Sequence, residues 1–392
     1  MRRREPRYLP KPVRRTRRQR VARWLGFFVL AIVLALVIPA LWIGLVCAPW
    51  GGGEGEIVVA PAQPASPLLP AAAPAGLAGL IRPEDQTYLT LPEWYIVYSA
   101  DEYAAFIANN RPSGFPYLQS VGQYWTSYWG VCTITSRRYP FNTAYHSTLY
   151  VIGLSFTVEN ILKGLYESTV GRLVEWLSTP ELSEEDALAR AVAKEYGDFI
   201  HTIPWYEFPF DEKLDELWSL ADSPGPNPIR RWERRLVLSL EYGGKAFYGR
   251  LIKRATAAAY APEELHIAAV VEGLTDAVLA QYPEVEPIAT LDDGRRVVTL
   301  PRYEAFTQLV PRLVEQGVRF VEIAGNDEIM LTALAPRAWE YELEQGQYLF
   351  AHDILTDPAT KRIMVAVPIP ALHTVLSELA AQGVRLEHIY DY

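Results

Sequence analysis

The chain has 392 residues, 50% of them apolar, and its 37 Lys and Arg against 46 Asp and Glu give a formal net charge of −9. A chain of this length and composition can bury a large core in about two or three domains, which excludes an intrinsically disordered protein. The charge is uneven, because residues 1–23 hold ten Arg and one Lys but a single acid, Glu5.

The first 50 residues combine this basic arm with an apolar segment. No charged residue occurs between Trp24 and Gly53. Residues 24–46 supply the ~20 apolar residues that cross a bilayer core of ~30 Å. Arg-rich flanks stay on the cytoplasmic side of a membrane. We therefore predict a cytoplasmic arm at 1–23 and one uncleaved transmembrane anchor at 24–50, in a bacterial inner membrane with the rest of the chain periplasmic.

A cleaved signal peptide and a lipoprotein are the other interpretations of this segment. The apolar run exceeds the roughly 7–15 residues of a signal-peptide core, and no Ala-x-Ala site directly follows it. A lipoprotein site needs a small residue before the Cys, whereas Val46 precedes Cys47. The chain has only two Cys, and because Cys47 lies at the predicted membrane edge, we predict that Cys132 has no partner within the chain.

Residues 51–84 form a predicted linker, in which Gly, Ala and Pro dominate. This composition cannot form a packed core and favours extended conformations. At full polyproline II extension, such a segment would hold the next domain up to about 90 Å from the bilayer.

Residues 85–262 are predicted to be a mainly α-helical domain rich in aromatic residues. Helical periodicity, with breaks at Pro and Gly, places helices at 117–129, 143–176, 183–200, 211–221 and 228–260. An alternative topology adds a hairpin of two further membrane crossings at 112–158, with Arg137 and Arg138 on the inside. We favour one crossing, because Gln119 and several hydroxyl side chains make a poor lipid-facing surface.

Residues 263–392 alternate short β-branched runs with amphipathic helices. Twice, a strand ending in Pro precedes a helix that closes with Gln-Gly-Val-Arg, at 316–319 and 382–385, and a further strand follows. Gly at such a position ends a helix. Two β-α-β units in tandem predict a C-terminal ferredoxin-like α/β plait, so the fold class is α+β. The predicted strands are 295–300, 318–323, 329–334, 348–355, 361–367 and 384–389, and the predicted helices are 303–315 and 370–381.

A pattern of Glu, Lys and Tyr at positions i, i+4 and i+7 occurs twice in the helical domain. Its members are Glu159, Lys163 and Tyr166, and then Glu241, Lys245 and Tyr248. On a helix these positions lie within about 60° of arc, so each helix presents one polar stripe. Two stripes facing a cleft would suit catalysis if burial raised a Glu pKa or lowered a Lys pKa. We favour a structural interpretation, since Glu four residues before Lys is a common stabilising pair.

The segment 201–211 concentrates aromatic and titratable side chains between two prolines. His201 and Glu207 are its candidate catalytic base and orienting carboxylate. The candidate binding-surface residues are Trp205, Tyr206, Tyr166 and Tyr248. The six His are scattered singly without metal-ligand spacing, so we predict no metal site.

No nucleotide-binding, metal-binding or hydrolase motif occurs in the sequence. We predict a non-catalytic, membrane-anchored binding or scaffold protein without a cofactor. The expected partners are the lipid bilayer and another membrane or periplasmic protein, and not nucleic acid, because a basic arm beside a span meets lipid headgroups. The alternatives are an enzyme with a Glu/Lys/His pocket in the helical domain and a multi-pass, transport-associated protein.

Overall fold

In a computed structural model, the chain is an α+β protein with a helical region followed by two four-stranded antiparallel sheets, which confirms the predicted class. The described residues are Leu41, Leu45, Cys47, Leu68, 77–220, 227–256 and 265–391. The predicted arm and nearly all of the predicted anchor and linker lie outside them. None of the described helices has both the length and the apolar composition that a membrane crossing requires.

The helical region begins with a short turn, Gln86–Leu89, and continues through α1 to α7. Their bounds are α1 Leu91–Asn109, α2 Tyr117–Arg138, α3 Thr143–Tyr166, α4 Arg172–Leu177, α5 Glu184–Ile200, α6 Phe210–Ser219 and α7 Pro228–Thr256. Side-chain caps fix two of the helix starts. The Asn142 side chain accepts from the Tyr145 backbone N–H before α3, and that of Ser183 accepts from the Asp186 N–H before α5.

A π-helical turn, Glu167–Gly171, joins α3 to α4, where the sequence predicted one continuous helix. Gly171 has a positional reason, because a Cβ there would collide with the Glu167 carboxylate. The glycine lets this carboxylate lie against the backbone while it pairs with Arg234 Nη1 at 2.8 Å. The turn therefore places a buried acid between the helices.

Eight strands and two longer helices follow. Their bounds are β1 His266–Glu272, β2 Glu286–Thr290, β3 Arg296–Pro301, α8 Tyr303–Glu315, β4 Arg319–Ile323, β5 Glu328–Pro336, β6 Gln347–Ile354, β7 Asp357–Pro368, α9 Leu372–Ala381 and β8 Arg385–Ile389. The strand orders are β2-β3-β1-β4 and β6-β7-β5-β8. Both predicted strand-helix-strand units are confirmed, but each belongs to its own sheet, and β1 and β2 were not predicted.

The two sheets share one apolar core, and the helical region covers the second sheet from outside. Met330 and Met364 on that sheet belong to the same buried cluster as Tyr98 of α1. The Tyr98 hydroxyl lies 2.8 Å from Thr332 Oγ1 and 3.0 Å from Tyr390 Oη. The predicted boundary at 262/263 therefore separates two regions that pack as one body.

Cys47 and Cys132 form a disulfide with a Cα–Cα distance of 5.1 Å, so the prediction that Cys132 has no partner within the chain is wrong. That prediction placed Cys47 at the membrane edge, away from the folded part. Instead, the Leu68 backbone N–H donates to Glu322 Oε2 at 2.5 Å, so the chain folds back onto the first sheet. A linker that holds the domain about 90 Å away is incompatible with these two contacts.

Candidate functional site

Helices α3 and α7 run antiparallel, and the two Glu-Lys repeats face each other between them. Lys163 Nζ lies 2.9 Å from Glu241 Oε1, and Lys245 Nζ lies 2.8 Å from Glu159 Oε1. Lys245 Nζ is also 3.4 Å from Glu241 Oε1. One ammonium thus contacts both carboxylates, which are close enough for one bound atom to reach both. The structure brings these four predicted residues together.

The four residues line a partly open cavity of about 100 Å³ within the helical region. Aromatic rings form much of its wall, and three of them, those of Tyr103, Tyr196 and Phe210, contact the ammonium groups. Lys163 Nζ lies 4.1 Å from the centroid of the Tyr103 ring, and Lys245 Nζ lies 5.1 Å from that of Tyr196. The space is sufficient for several waters or a molecule of a few atoms.

The ion pairs hold Lys163, Lys245 and Glu241 in their charged forms. Burial disfavours the Lys163 and Lys245 ammonium groups, but the nearby carboxylates outweigh it and raise both pKa values above the ordinary range. Burial disfavours the Glu241 carboxylate too, yet the two ammonium groups lower its pKa to about 2. A lysine that acts as a base or nucleophile needs a lowered pKa. The shifts are opposite to those that general acid-base chemistry requires.

Acid is expected to weaken the contribution of Glu241 to stability. Because the folded-state pKa of Glu241 is about 2 and its ordinary value is 4.5, the carboxylate stabilises the fold above pH 4.5, and this contribution is lost as pH falls towards 2. Glu241→Gln should therefore lower the thermal midpoint near neutral pH. The difference in midpoint between the variant and wild type should shrink as the pH falls. Thermal scans of both proteins across this range test it. A constant difference would contradict the assignment.

His201 and Glu207 have separate partners and do not form the predicted catalytic pair. His201 Nε2 lies 2.7 Å from Asp101 Oδ2, and His201 Nδ1 lies 3.5 Å from Glu304 Oε2. Hydrogen bonds to Asp101 and then Glu304 raise the pKa of His201 to about 10. Glu207 pairs instead with Lys253, at 2.8 Å. His201 is therefore protonated at neutral pH and is not available as a base.

The candidate binding-surface aromatics divide into a cluster and one separate residue. The Trp205 ring stacks on Tyr248 at a centroid distance of 5.5 Å, and Tyr206 lies edge-on to Trp205 at 6.0 Å. Tyr166 instead donates its hydroxyl to Glu233 Oε1 at 2.5 Å, between α3 and α7. Tyr166 and Tyr248, which hold the same position in the two repeats, therefore have different neighbours.

Sequence analysis did not identify a buried arginine cluster on α7. Its members are Arg230, Arg231, Arg234 and Arg235. Arg230 Nη2 pairs with Asp186 Oδ1 at 2.8 Å. Arg231 and Arg235 share the carboxylate of Glu185, which is fully buried. The available signal was the i, i+1, i+4, i+5 spacing, which places all four side chains on one helix face.

From Val158 onwards, the exposed positions of α3, α4 and α7 are mostly apolar, and we term their large apolar members the α3–α7 face. Its members are Val158, Ile161, Leu162, Leu165, Leu173, Trp176, Leu177, Ile229, Trp232, Leu236, Leu240, Phe247 and Leu251. Trp176 is 80% exposed and Leu240 is 68% exposed. Contiguous apolar surface of this kind marks an interaction site more often than a solvated face.

The part of the chain that the structure describes contains no group of three or more His, Cys, Asp or Glu side chains arranged to hold a metal ion. Comparison with protein-family models, characterised proteins and solved structures finds no match for this chain. The charged cavity and the α3–α7 face are therefore the observations from which a function can be argued.

Proposed function

We propose that this protein is a non-catalytic, membrane-anchored scaffold or binding protein, with its N-terminus cytoplasmic and its folded part on the outer side of a bacterial inner membrane. The observation that carries the proposal is the distribution of charge on α3 and α7. The charged side chains of the two Glu-Lys repeats pair with one another between the helices, and between Pro228 and Gly249 no charged residue of α7 is among the exposed positions. What the helices present to another molecule is thus a surface for contact, not a reactive group.

The disulfide supports an extracytoplasmic location. Cys47 directly follows the apolar segment 24–46, and its partner Cys132 is buried in the core between α2 and the second sheet. Structural disulfides form and persist in oxidising compartments such as the periplasm. The bond also ties the end of the proposed anchor directly to the folded part, so the domain would lie close to the membrane.

The strand orders support two ferredoxin-like plaits in the C-terminal region, one built on β1–β4 and one on β5–β8. Reversed, the two orders are β4-β1-β3-β2 and β8-β5-β7-β6, which is the strand order of a β-α-β-β-α-β unit. All neighbouring strands are antiparallel. The first crossover is reduced to one turn, Asp276–Leu279, and the described connection 337–346 holds no helix. Tandem plaits are a fold-level likeness that carries no activity by itself, and they fit a scaffold.

Fractionation of the full chain tests this proposal. After expression in a bacterium, the protein is expected to stay in the membrane pellet during alkaline carbonate extraction. Protease added to spheroplasts should degrade everything except the arm and anchor. Maleimide should label no Cys until the denatured protein is reduced. A mature protein that begins beyond Trp50, or one that carbonate releases, would overturn the proposal.

A further inference from the structure

Helix α7 has the reverse of the polarity expected for a helix in water. Between Pro228 and Gly249 it carries seven charged residues, and none of them is among its exposed positions. The exposed positions are Pro228, Ile229, Trp232, Leu236, Leu240, Gly244 and Phe247. A surface helix of a soluble protein places its apolar stripe inwards and its charges outwards. The outer side of α7 is therefore suited to an apolar environment.

The same inversion continues on α3 and α4, beside α7. From Val158 to Leu177, the exposed side chains are mostly apolar or hydroxyl-bearing, and the exposed charges are those of Glu159 and Arg172. Glu159 is paired with Lys245. On α7 the apolar surface extends from Ile229 to Leu251, about 33 Å at 1.5 Å per residue. Two parallel ridges of this length form a broad apolar surface.

We propose that the α3–α7 face lies in the outer leaflet of the same bilayer that holds the anchor, as a second, monotopic membrane contact. This inference rests on the proposed function and names the lipid surface as a partner of the domain. A helix pair with an apolar outer side and paired charges within can lie in the interface with its apolar side about 5–10 Å deep.

The covalent tether to the proposed anchor favours lipid as the occupant of the face. The disulfide fixes Cys47 to α2, and α3 packs back along α2, with Gly153 against the Tyr124 ring and Gly164 against Tyr117. Leu41 and Leu45, just before Cys47, are 61% and 67% exposed. The disulfide therefore keeps the folded part, and the α3–α7 face with it, beside the proposed anchor, where lipid is the nearest apolar medium.

Charge at the edges of the face agrees with phospholipid. Arg172, Arg250 and Arg254 are exposed around it, where a long cationic side chain can reach headgroup phosphates while its stem stays apolar. Trp176 and Trp232 add indole rings, which favour the membrane interface.

Lipid-borne quenchers test this proposal with the full chain. The native Cys are paired, so Leu240→Cys or Trp176→Cys adds one free thiol for an NBD label, and Ala191→Cys, at an exposed position on α5, is the matched control. In vesicles of phosphatidylcholine and phosphatidylglycerol with doxyl-labelled chains, NBD emission at 240 and 176 is expected to fall roughly twofold or more, with little change at 191.

Two outcomes would overturn the inference. One is equal, weak quenching at 240, 176 and 191. The other is protection from quenching with disulfide cross-linking between copies at 240, which would assign the face to a second copy of the chain. Failure of the anchor is recognised separately, as release by carbonate. An unquenched label on a carbonate-resistant chain therefore refutes only the membrane-surface contact.

Discussion

Glu185→Gln is expected to lower the free energy of unfolding by about 3–5 kcal/mol. Glu185 is 0% exposed and accepts from Arg231 Nε at 3.2 Å and from Arg235 Nε at 2.8 Å. The amide keeps the size of the side chain but removes its charge, so two buried guanidinium groups lose their shared counterion. Removing a charged partner of a buried guanidinium group is costly, because protein interiors solvate charge poorly. The thermal midpoint of the purified protein should fall by roughly 5–8 °C.

Glu184→Gln is the matched control for this prediction. Glu184 is the preceding residue, contacts Arg231 Nη2 at 3.2 Å, and has a side chain that is 58% exposed. Solvent screens such a pair, so the same chemical change is expected to cost less than about 1 kcal/mol. Similar losses in the two variants would show that burial of the arginine cluster does not determine its contribution to stability.

The helices and most strands could be predicted because their periodicity is local. The predicted helix at 303–315 has the bounds Tyr303–Glu315, and the helix over 183–200 begins at a Ser183 cap. Strand β1 was missed because its buried run His266–Glu272 carries no alternation and no flanking turn dipeptide. Assigning each β-α-β unit to its own sheet requires strand pairing between distant segments, which periodicity does not specify.

In the candidate site, too, the arrangement within each helix could be predicted, but the contacts between helices could not. Spacing placed Glu159 with Lys163 and Glu241 with Lys245 on single helix faces, and the repeat indicated that the two faces are related. Their crossed pairing depends on the antiparallel packing of α3 on α7. The partners of His201 come from α1 and α8, about 100 residues away on either side, as Asp101 and Glu304. No local pattern identifies contacts of that separation.

Cys132→Ser is expected to lower the free energy of unfolding by about 4–5 kcal/mol, because the Cys47–Cys132 bond closes a long loop in the unfolded chain. The two residues are 85 positions apart in sequence. Without the bond, the unfolded ensemble gains the conformations that loop closure excludes. The expected measurement is a lower thermal midpoint in detergent, matched by wild type after reduction. The loss would also release the end of the proposed anchor from α2.

Cys47→Ser and the double variant separate the bond from the local environment of each sulfur. Both Cys are buried, at 3% and 1% exposure, so a serine hydroxyl at either position carries a further cost in the core. If the bond is the main contribution, each single variant removes it completely, and the double variant should be little worse than either. Additive losses would mean that the sulfurs act through packing alone. A wild-type midpoint unchanged by reduction would lead to the same conclusion, and the fold would then hold the chain at residue 47 without the covalent link.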